Sequence, residues 1–349
     1  MRLERLTPGR RPAASLTGAV LTRDLVVGGS RWSKGRRLST ADLAAWAEDP
    51  SLGVGPVAVI VIEPGDVHED DAARRLADAV AGSGLIQRGP VQSRVDLLAE
   101  HDGVLHVRVP DLERLNRVDP LEVFTRLDGS IVAAGDLVGS VKIAPHVVEK
   151  TVIDAGLGVV ADGRRPLVRV APFRAMRVAV VVKESLRAAD RPRFEASVRL
   201  KVEQLGSEVI AIDYVADDDA AVIAALEHRS RGGDRGHVIL TAGGRSTDPS
   251  DPFLTAIAAL GGRVVRHGVP AHPGSMLWLA RIGRTAILGL PTCGAYSKAT
   301  AADLLLPRLL TGEPPSRRTV ARLGHGGVLT REMRFRFPPY ARDLEAPDG

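Results

Sequence analysis

Between residues 177 and 310, short apolar runs alternate with stretches in which apolar residues recur at helical spacing. The runs are residues 178–182, 209–212, 238–241, 264–265 and 285–288, and they show no regular alternation of apolar and polar positions. Strands of this kind are covered on both faces, which is typical of parallel sheets. We therefore predict a mostly parallel sheet in this half of the chain.

The stretches between these runs predict helices on both faces of that sheet. The first has Pro192 in its opening turn, a stripe of Phe194, Val198, Val202 and Leu205, and Gly206 as its end. Further helices are predicted at residues 219–227, 252–260 and 297–310, the last with a kink at Pro307. Residues 171–312 are thus expected to form a three-layer α/β/α doubly wound domain.

The first 170 residues have a different pattern and predict a strand-rich α+β domain. Residues 57–62 form a β-branched run, and residues 103–109 and the stretch from 129 to 143 give further strands between Asp/Gly turns. A helix is expected to open at Asp66, capped reciprocally with Glu69, and to bury Ala73, Leu76, Ala77 and Val80. Residues 313–349 form a tail with one predicted strand at 333–337.

Composition is that of a globular protein with an aliphatic core. Of the 349 residues 44% are hydrophobic and only 3% aromatic, and the one cysteine excludes an intrachain disulfide. The basic N-terminus is not followed by an apolar run, and no stretch reaches the ~18 apolar residues of a membrane span. We expect a cytoplasmic protein. The pI of 9.7 accompanies a net charge of only +5 with scattered arginines, so nucleic acid is not expected as a partner.

The first candidate loop joins a buried strand to a helix and runs from Thr241 to Asp251. Gly243 and Gly244 allow the backbone to approach a ligand and leave N–H groups free to point at an anion. Asp251 is a good N-cap with Pro252 pre-set behind it, so a capped loop without a ligand is the alternative interpretation.

Two further glycine loops follow strands of the same predicted sheet. Their residues are His272, Pro273, Gly274 and Ser275 in one, and Gly289, Leu290, Pro291, Thr292 and Cys293 in the other. Ligands of doubly wound sheets bind beyond the carboxyl ends of the strands, and helix N-termini favour negative charge. Three such loops without a glutamate or histidine cluster favour phosphate binding over proton transfer.

The order of these elements resembles the molybdopterin-binding domain. The resemblance lies in Thr241-x-Gly-Gly followed by Ser246, in Asp251 seven residues past the second glycine, and in the later Pro-Gly and Gly-Leu-Pro loops. That domain is shared by molybdopterin adenylyltransferases, by molybdopterin molybdotransferases and by the competence-damage-inducible family. The openings of the molybdotransferases are also similar to residues 18–24 and 34–42.

The resemblance implies acidic roles for two residues. Asp251 would lie near phosphate and metal, and Asp217, in an element similar to the family's Val-Pro-Asp-Asp, would be the second acid; together they would hold Mg²⁺ and serve catalysis. A helix cap at Asp217 or Asp218 is an equally good interpretation. Cys293 is either a thiolate that meets molybdenum or a small buried residue, and His272 is either a phosphate contact or a surface histidine. The acidic run 69–71 is interpreted as the first turn of its helix.

Several positions depart from the family's pattern. His272 and Ser275 stand where lysines are expected, and Thr292-Cys293-Gly replaces Gly-Asn-Pro. Asp248-Pro249 replaces Gly-Asp, which displaces one carboxylate, and the tail is too short for the molybdotransferases' C-terminal β domain. Because charge is lost while the loop framework stays, binding of molybdopterin is better supported than turnover.

Three functions are compatible with these residues. The first is a homodimeric molybdopterin-binding protein of molybdenum cofactor biosynthesis, a transferase in adenylation or molybdate insertion with Mg²⁺, for which the sequence does not decide the use of ATP. The second is a non-catalytic carrier that delivers the cofactor to an apo-molybdoenzyme. The third is a competence-damage-type nucleotide pyrophosphatase, supported only by the shared domain.

Overall fold

The computed structural model describes residues 1–49, 55–183, 188–231, 236–290 and 299–342. The chain divides into two compact units. Unit 1 comprises Met1–His101, Leu105–Asp128 and Val132–Val170, and unit 2 comprises Asp102–Val104, Gly129–Ile131 and Ala171–Gly349. The domain boundaries drawn from the sequence stay a prediction.

The first 172 residues form small sheets and four α-helices among the residues described. The strands are β1 Arg2–Leu6, β2 Val20–Leu21, β3 Leu25–Val27, β4 Ser30–Trp32, β5 Val57–Val61, β6 Asp66–His68, β7 Leu85–Val91, β8 Arg94–Ala99, β9 Gly103–Val107, β10 Leu121–Thr125, β11 Ile131–Val132, β12 Leu137–Ile143, β13 Val147–Glu149 and β14 Val168–Pro172. The helices are α1 Thr40–Glu48, α2 Glu69–Val80, α3 Val109–Leu115 and α4 Lys150–Asp162. The mixture of strands and helices is confirmed.

Helix α2 lies at the centre of one core, where its predicted apolar face is fully buried together with strands β8, β10 and β12. Its predicted start was wrong. Residues Asp66–His68 pair with β13 as strand β6, and the helix begins at Glu69 behind the N-cap His68, whose ring accepts a hydrogen bond from the N–H of Asp70. Pairing with β13 outweighed the local capping signal, and the carboxylate of Asp66 instead accepts from the N–H of Glu63.

Unit 2 contains the predicted doubly wound sheet. Its strands are β15 Arg177–Lys183, β16 Glu208–Val215, β17 Val238–Ala242, β18 Arg263–His267, β19 Trp278–Ile282 and β20 Thr285–Gly289. Its helices are α5 Arg191–Glu203, α6 Asp219–Arg231, α7 Pro252–Ala259, α8 Ala302–Leu310, α9 Arg317–Arg322 and α10 Pro339–Arg342. In the described part of the chain the strand order is β16-β15-β17-β20-β19-β18, and β19 runs opposite to the other five strands.

The helices cover both faces of this sheet, which confirms the three-layer architecture. Helices α5 and α8 pack on one face with the even-numbered valines of β15, and α6 and α7 pack on the other. Helix α5 has Pro192 in its first turn, and Gly206 after its end has a positive φ of 73° that favours glycine. Among the described helices none is long and apolar enough to cross a membrane.

Three details of unit 2 differ from the sequence prediction. Strand β19 is not among the predicted strands, because the exposed Arg281 interrupts the apolar run of its five residues. Helix α8 begins at Ala302, since residues 299–301 are not helical, and Ser297 lies outside the described residues. The predicted strand at 333–337 is wrong, because Arg331–Arg336 forms a 3₁₀ helix.

The segment after Gly312 contributes to the core of unit 2. Six of its side chains belong to the same buried cluster as α5, α8 and the sheet: Val320, Leu323, Leu329, Phe337, Tyr340 and Ala341. No amphipathic period in the sequence is long enough to predict this packing, since the helices in the segment are short.

Candidate functional site

The candidate loops of unit 2 lie at one edge of its sheet. Register pairs Lys183 with Val215 and Val182 with Ala242, and it pairs Gly289 with both Thr241 and Trp278. The parallel strands therefore end along one line, and the connection from β18 to β19, which contains His272–Ser275, turns at the same edge. The structure brings the three loop origins to one edge, as the sequence predicted from the strand ends.

The loop after β17 begins with a buried threonine and two glycines. Thr241 is 1% exposed, and its carbonyl accepts a hydrogen bond from the N–H of Leu290 at 2.8 Å, which ties β17 to the third loop. Gly243 has a positive φ of 83°, so a side chain there is strained. At Gly244 a Cβ would lie 3.3 Å from the ring of Phe253. The carbonyl of Ser246 accepts a hydrogen bond from the ring of His267.

Asp251 closes this loop and caps helix α7. It is 2% exposed, and its Oδ1 accepts the N–H of Phe253 at 2.9 Å, as expected of an N-cap. Its Oδ2 accepts the N–H of Arg245 at 2.6 Å and the ammonium of Lys183 at 2.7 Å. Both oxygens are thus engaged inside the protein, and the carboxylate fixes the loop from Arg245 onward.

Lys183 is the central cation of the site, and the sequence analysis did not single it out. Its side chain is 0% exposed, and its Nζ lies 2.7 Å from Asp251 Oδ2, 2.8 Å from Asp217 Oδ1 and 5.2 Å from the centre of the Phe253 ring. A fully buried ammonium is stable only when paired, which explains why two carboxylates face it. The signal available in the sequence was a lysine directly after five apolar strand residues, at a carboxyl end.

Asp217 is the outer carboxylate of the group, with about a third of its side chain exposed. Besides Lys183 it pairs with the guanidinium of Arg245 at 2.9 Å. Lys183 lowers the pKa of the Asp217 carboxyl below its ordinary value, with Arg245 acting in the same direction. The helix-capping alternative applies to Asp218 instead, whose carboxylate accepts the N–H of Ala221 at 2.8 Å. Asp217 therefore pairs with Lys183 and Arg245 and does not cap α6.

The Pro-Gly loop is held by packing within unit 2. The N–H of His272 donates to the carbonyl of Gly327 at 2.7 Å, while the His272 side chain is exposed. Gly274 has φ +101°, and a Cβ there would approach the backbone of Ala301 to 2.9 Å. The carbonyl of Pro273 accepts the N–H of Ala301, and the carbonyl of Ser275 accepts the N–H of Val269.

The third loop is described only at its start. A Cβ at Gly289 would lie 2.1 Å from the ring of Trp278, so close packing requires this glycine. The backbone of Leu290 is bound to Thr241 as above. The predicted residues Pro291, Thr292 and Cys293 lie outside the described residues.

The two acids do not fit the Mg²⁺ site that the family resemblance implied. Each already has the ammonium of Lys183 as a partner at 2.7–2.8 Å, and Mg²⁺ demands oxygen ligands at ~2.0–2.1 Å in octahedral order. Asp251 has no oxygen without a donor. In the described ranges no group of three His, Cys, Asp or Glu side chains has the arrangement of a metal site. No step is therefore assigned to a metal here.

Residues 193–311 match the model of a protein family described as a probable molybdopterin binding domain. This stretch contains all the candidate loops and both acids, and it begins after Lys183. The match lies within unit 2 and bears out the resemblance to the molybdopterin-binding domain seen in the sequence. No curated protein matches the chain.

Three solved structures of molybdenum cofactor or molybdopterin biosynthesis proteins are similar to the chain at low sequence identity. A molybdenum cofactor biosynthesis protein B is 17% identical, with a TM-score of 0.30 over 40% of this chain and 94% of its own. A molybdopterin biosynthesis moea protein from Pyrococcus horikosii is 17% identical, with a TM-score of 0.30 over 74% and 81%. The molybdopterin biosynthesis enzyme MoaB of Thermus thermophilus is 23% identical, with a TM-score of 0.29 over 40% and 98%.

Proposed function

We propose that the chain binds molybdopterin at the carboxyl edge of the unit 2 sheet and holds it for molybdenum cofactor biosynthesis, as a carrier rather than a transferase. The observation that carries the proposal is the family match over residues 193–311, which contains the glycine loop from Thr241 to Asp251. An anionic pterin phosphate suits the backbone N–H groups of such a loop.

The carrier role is supported by the engagement of the acids. Adenylyl or molybdate transfer with Mg²⁺ and ATP would need carboxylates that are free to hold the metal ion. Both oxygens of Asp251 instead accept hydrogen bonds from Phe253, Arg245 and Lys183. We propose that the carrier delivers the bound cofactor to an apo-molybdoenzyme, which is its protein partner.

Binding is tested by melting curves with and without molybdopterin. We expect a gain of about 2.7 kcal/mol at a ligand concentration one hundred times the Kd, because the ligand binds only the folded chain. A pterin without phosphate serves as the control and should shift the curve less. No shift at saturating molybdopterin would refute the proposal.

A homodimer is proposed as the assembly state. Light scattering at micromolar concentration should give twice the chain mass of 37.1 kDa. A measured mass equal to that of one chain over the accessible concentration range would contradict the homodimer. It would leave the proposal of pterin binding unaffected.

A further inference from the structure

The two site acids of unit 2 already share a cation that is part of the chain. The ammonium of Lys183 lies within 2.8 Å of one oxygen of Asp217 and one oxygen of Asp251. A single ion placed between two carboxylates is the arrangement in which proteins hold Mg²⁺, usually with one or two carboxylates and several waters. Lys183 thus stands at the position between the acids that a divalent cation would need.

The charges of the two site acids are offset without a metal. Lys183 and Arg245 supply two positive charges, equal to one divalent cation, and Asp217 and Asp251 supply two negative charges. Arg245 bonds Asp217 through its guanidinium at 2.9 Å and Asp251 through its backbone N–H at 2.6 Å. The neighbouring acid, Asp248, is engaged with the N–H and hydroxyl of Ser250 and with Arg245 at 3.4 Å. An added divalent cation would have to displace bound groups.

Lys183 is also fixed in place by burial. Its side chain is fully enclosed, and Phe253 places its ring beneath the ammonium at 5.2 Å. The ammonium cannot leave without breaking both ion pairs inside the protein, whereas a bound metal ion exchanges with solvent. The cation of this site is therefore permanent.

We propose that Lys183 is a built-in counter-cation that replaces the divalent metal between Asp217 and Asp251, so that the site takes its anionic ligand without Mg²⁺. The second half of this statement rests on the proposed function. The first half concerns the chain alone and can be tested without any pterin.

The test uses Mn²⁺ as the probe, followed by the electron paramagnetic resonance signal of the free ion and by melting curves in Mn²⁺ or EDTA. The Mn²⁺ titration of the wild-type chain should match that of Asp217→Asn, because neither has a saturable site at Asp217. The melting temperature of the wild type should be the same in Mn²⁺ and in EDTA. Lys183→Ser leaves two carboxylates facing each other, which repel. This variant should melt lower in EDTA, recover in Mn²⁺, and bind one ion with a Kd on the order of 10⁻⁴ to 10⁻³ M, the weak end of oxygen-ligand sites.

Lys201→Ser is the matched control, because the chain has a second buried lysine. Lys201 is 5% exposed and pairs with a single carboxylate, that of Asp303, at 2.7 Å. This variant should also lose stability, but one carboxylate does not make a metal site, so Mn²⁺ should not restore it. Lys183→Ser combined with Asp217→Asn should lose the recovery that Lys183→Ser shows.

Two results would overturn the proposal. One is a saturable Mn²⁺ site in the wild type that Asp217→Asn abolishes, since a metal would then share the acids with Lys183. The other is a folded Lys183→Ser chain whose melting temperature Mn²⁺ leaves unchanged. If Lys183→Ser does not fold in either solution, the wild-type titration decides alone. Failure of molybdopterin to bind would leave these outcomes unaffected.

Discussion

A chain that ends at Gly312 is expected to leave unit 2 unfolded, although it keeps all six strands of the sheet. Truncation there removes the six core side chains contributed by the segment from Val320 to Ala341. Burial of a Val, Leu or Phe side chain stabilises by roughly 1.5–3 kcal/mol, so their sum is of the same order as the ~5–15 kcal/mol that a whole domain has. Hydrogen exchange resolved by peptide should show residues 177–310 exchanging without protection, and protection equal to that of the full chain would contradict the prediction.

Substitutions at two phenylalanines of this segment test the same packing without truncation, one of them serving as the control. Phe337 is 5% exposed and belongs to the core cluster, whereas Phe335, two residues earlier, is 63% exposed. Phe337→Ala should lower the free energy of unfolding by about 3–5 kcal/mol. Phe335→Ala should change it by less than about 0.5 kcal/mol. Equal effects in chemical denaturation would mean that the segment does not pack as described.

Asp303→Asn is expected to destabilise unit 2 by about 3–5 kcal/mol, because it leaves the ammonium of Lys201 buried without a counter-charge. Asp303 is 0% exposed and joins the start of α8 to α5 through this pair, and its second oxygen accepts the N–H of Thr300 at 2.8 Å. Asparagine with its oxygen on Thr300 turns its NH2 group toward the ammonium, so the measured loss reports the removal of both charge and acceptor from Lys201. Denaturant unfolding of the variant measures it.

The exposed pair Lys150–Asp154 is the control, with about half of each side chain in solvent. Asp154→Asn should cost at most about 0.5 kcal/mol, as is usual for i, i+4 surface pairs. Replacing both partners of the buried pair, as Lys201→Met with Asp303→Asn, should recover much of the stability that Asp303→Asn loses, because no buried charge remains. A double variant less stable than the single one would contradict this account.

Asp251 shows where the interpretation from the sequence was right and where it was incomplete. Its place before Pro252 and a helix predicted the N-cap that the structure has, since capping depends on neighbours two residues away. If Asp251 were a cap alone, asparagine would replace it with little loss. The ion pair with Lys183 changes that expectation, because asparagine would keep the cap and remove a buried counter-charge.

The sequence by itself determined the elements whose signals are local. Continuous β-branched runs predicted the parallel strands, Pro192 and Gly206 bounded α5, and strand ends located the loops, because each signal acts within a few residues of the chain. Only the tertiary structure decided which distant residues those elements contact. Lys183 and Asp251 are 68 residues apart and become partners through the register of β15 and β17, and His68 became an N-cap because β13 paired with the segment before it. Burial of an ammonium and docking of short helices depend on surfaces that distant segments build, so no spacing within the sequence encodes them.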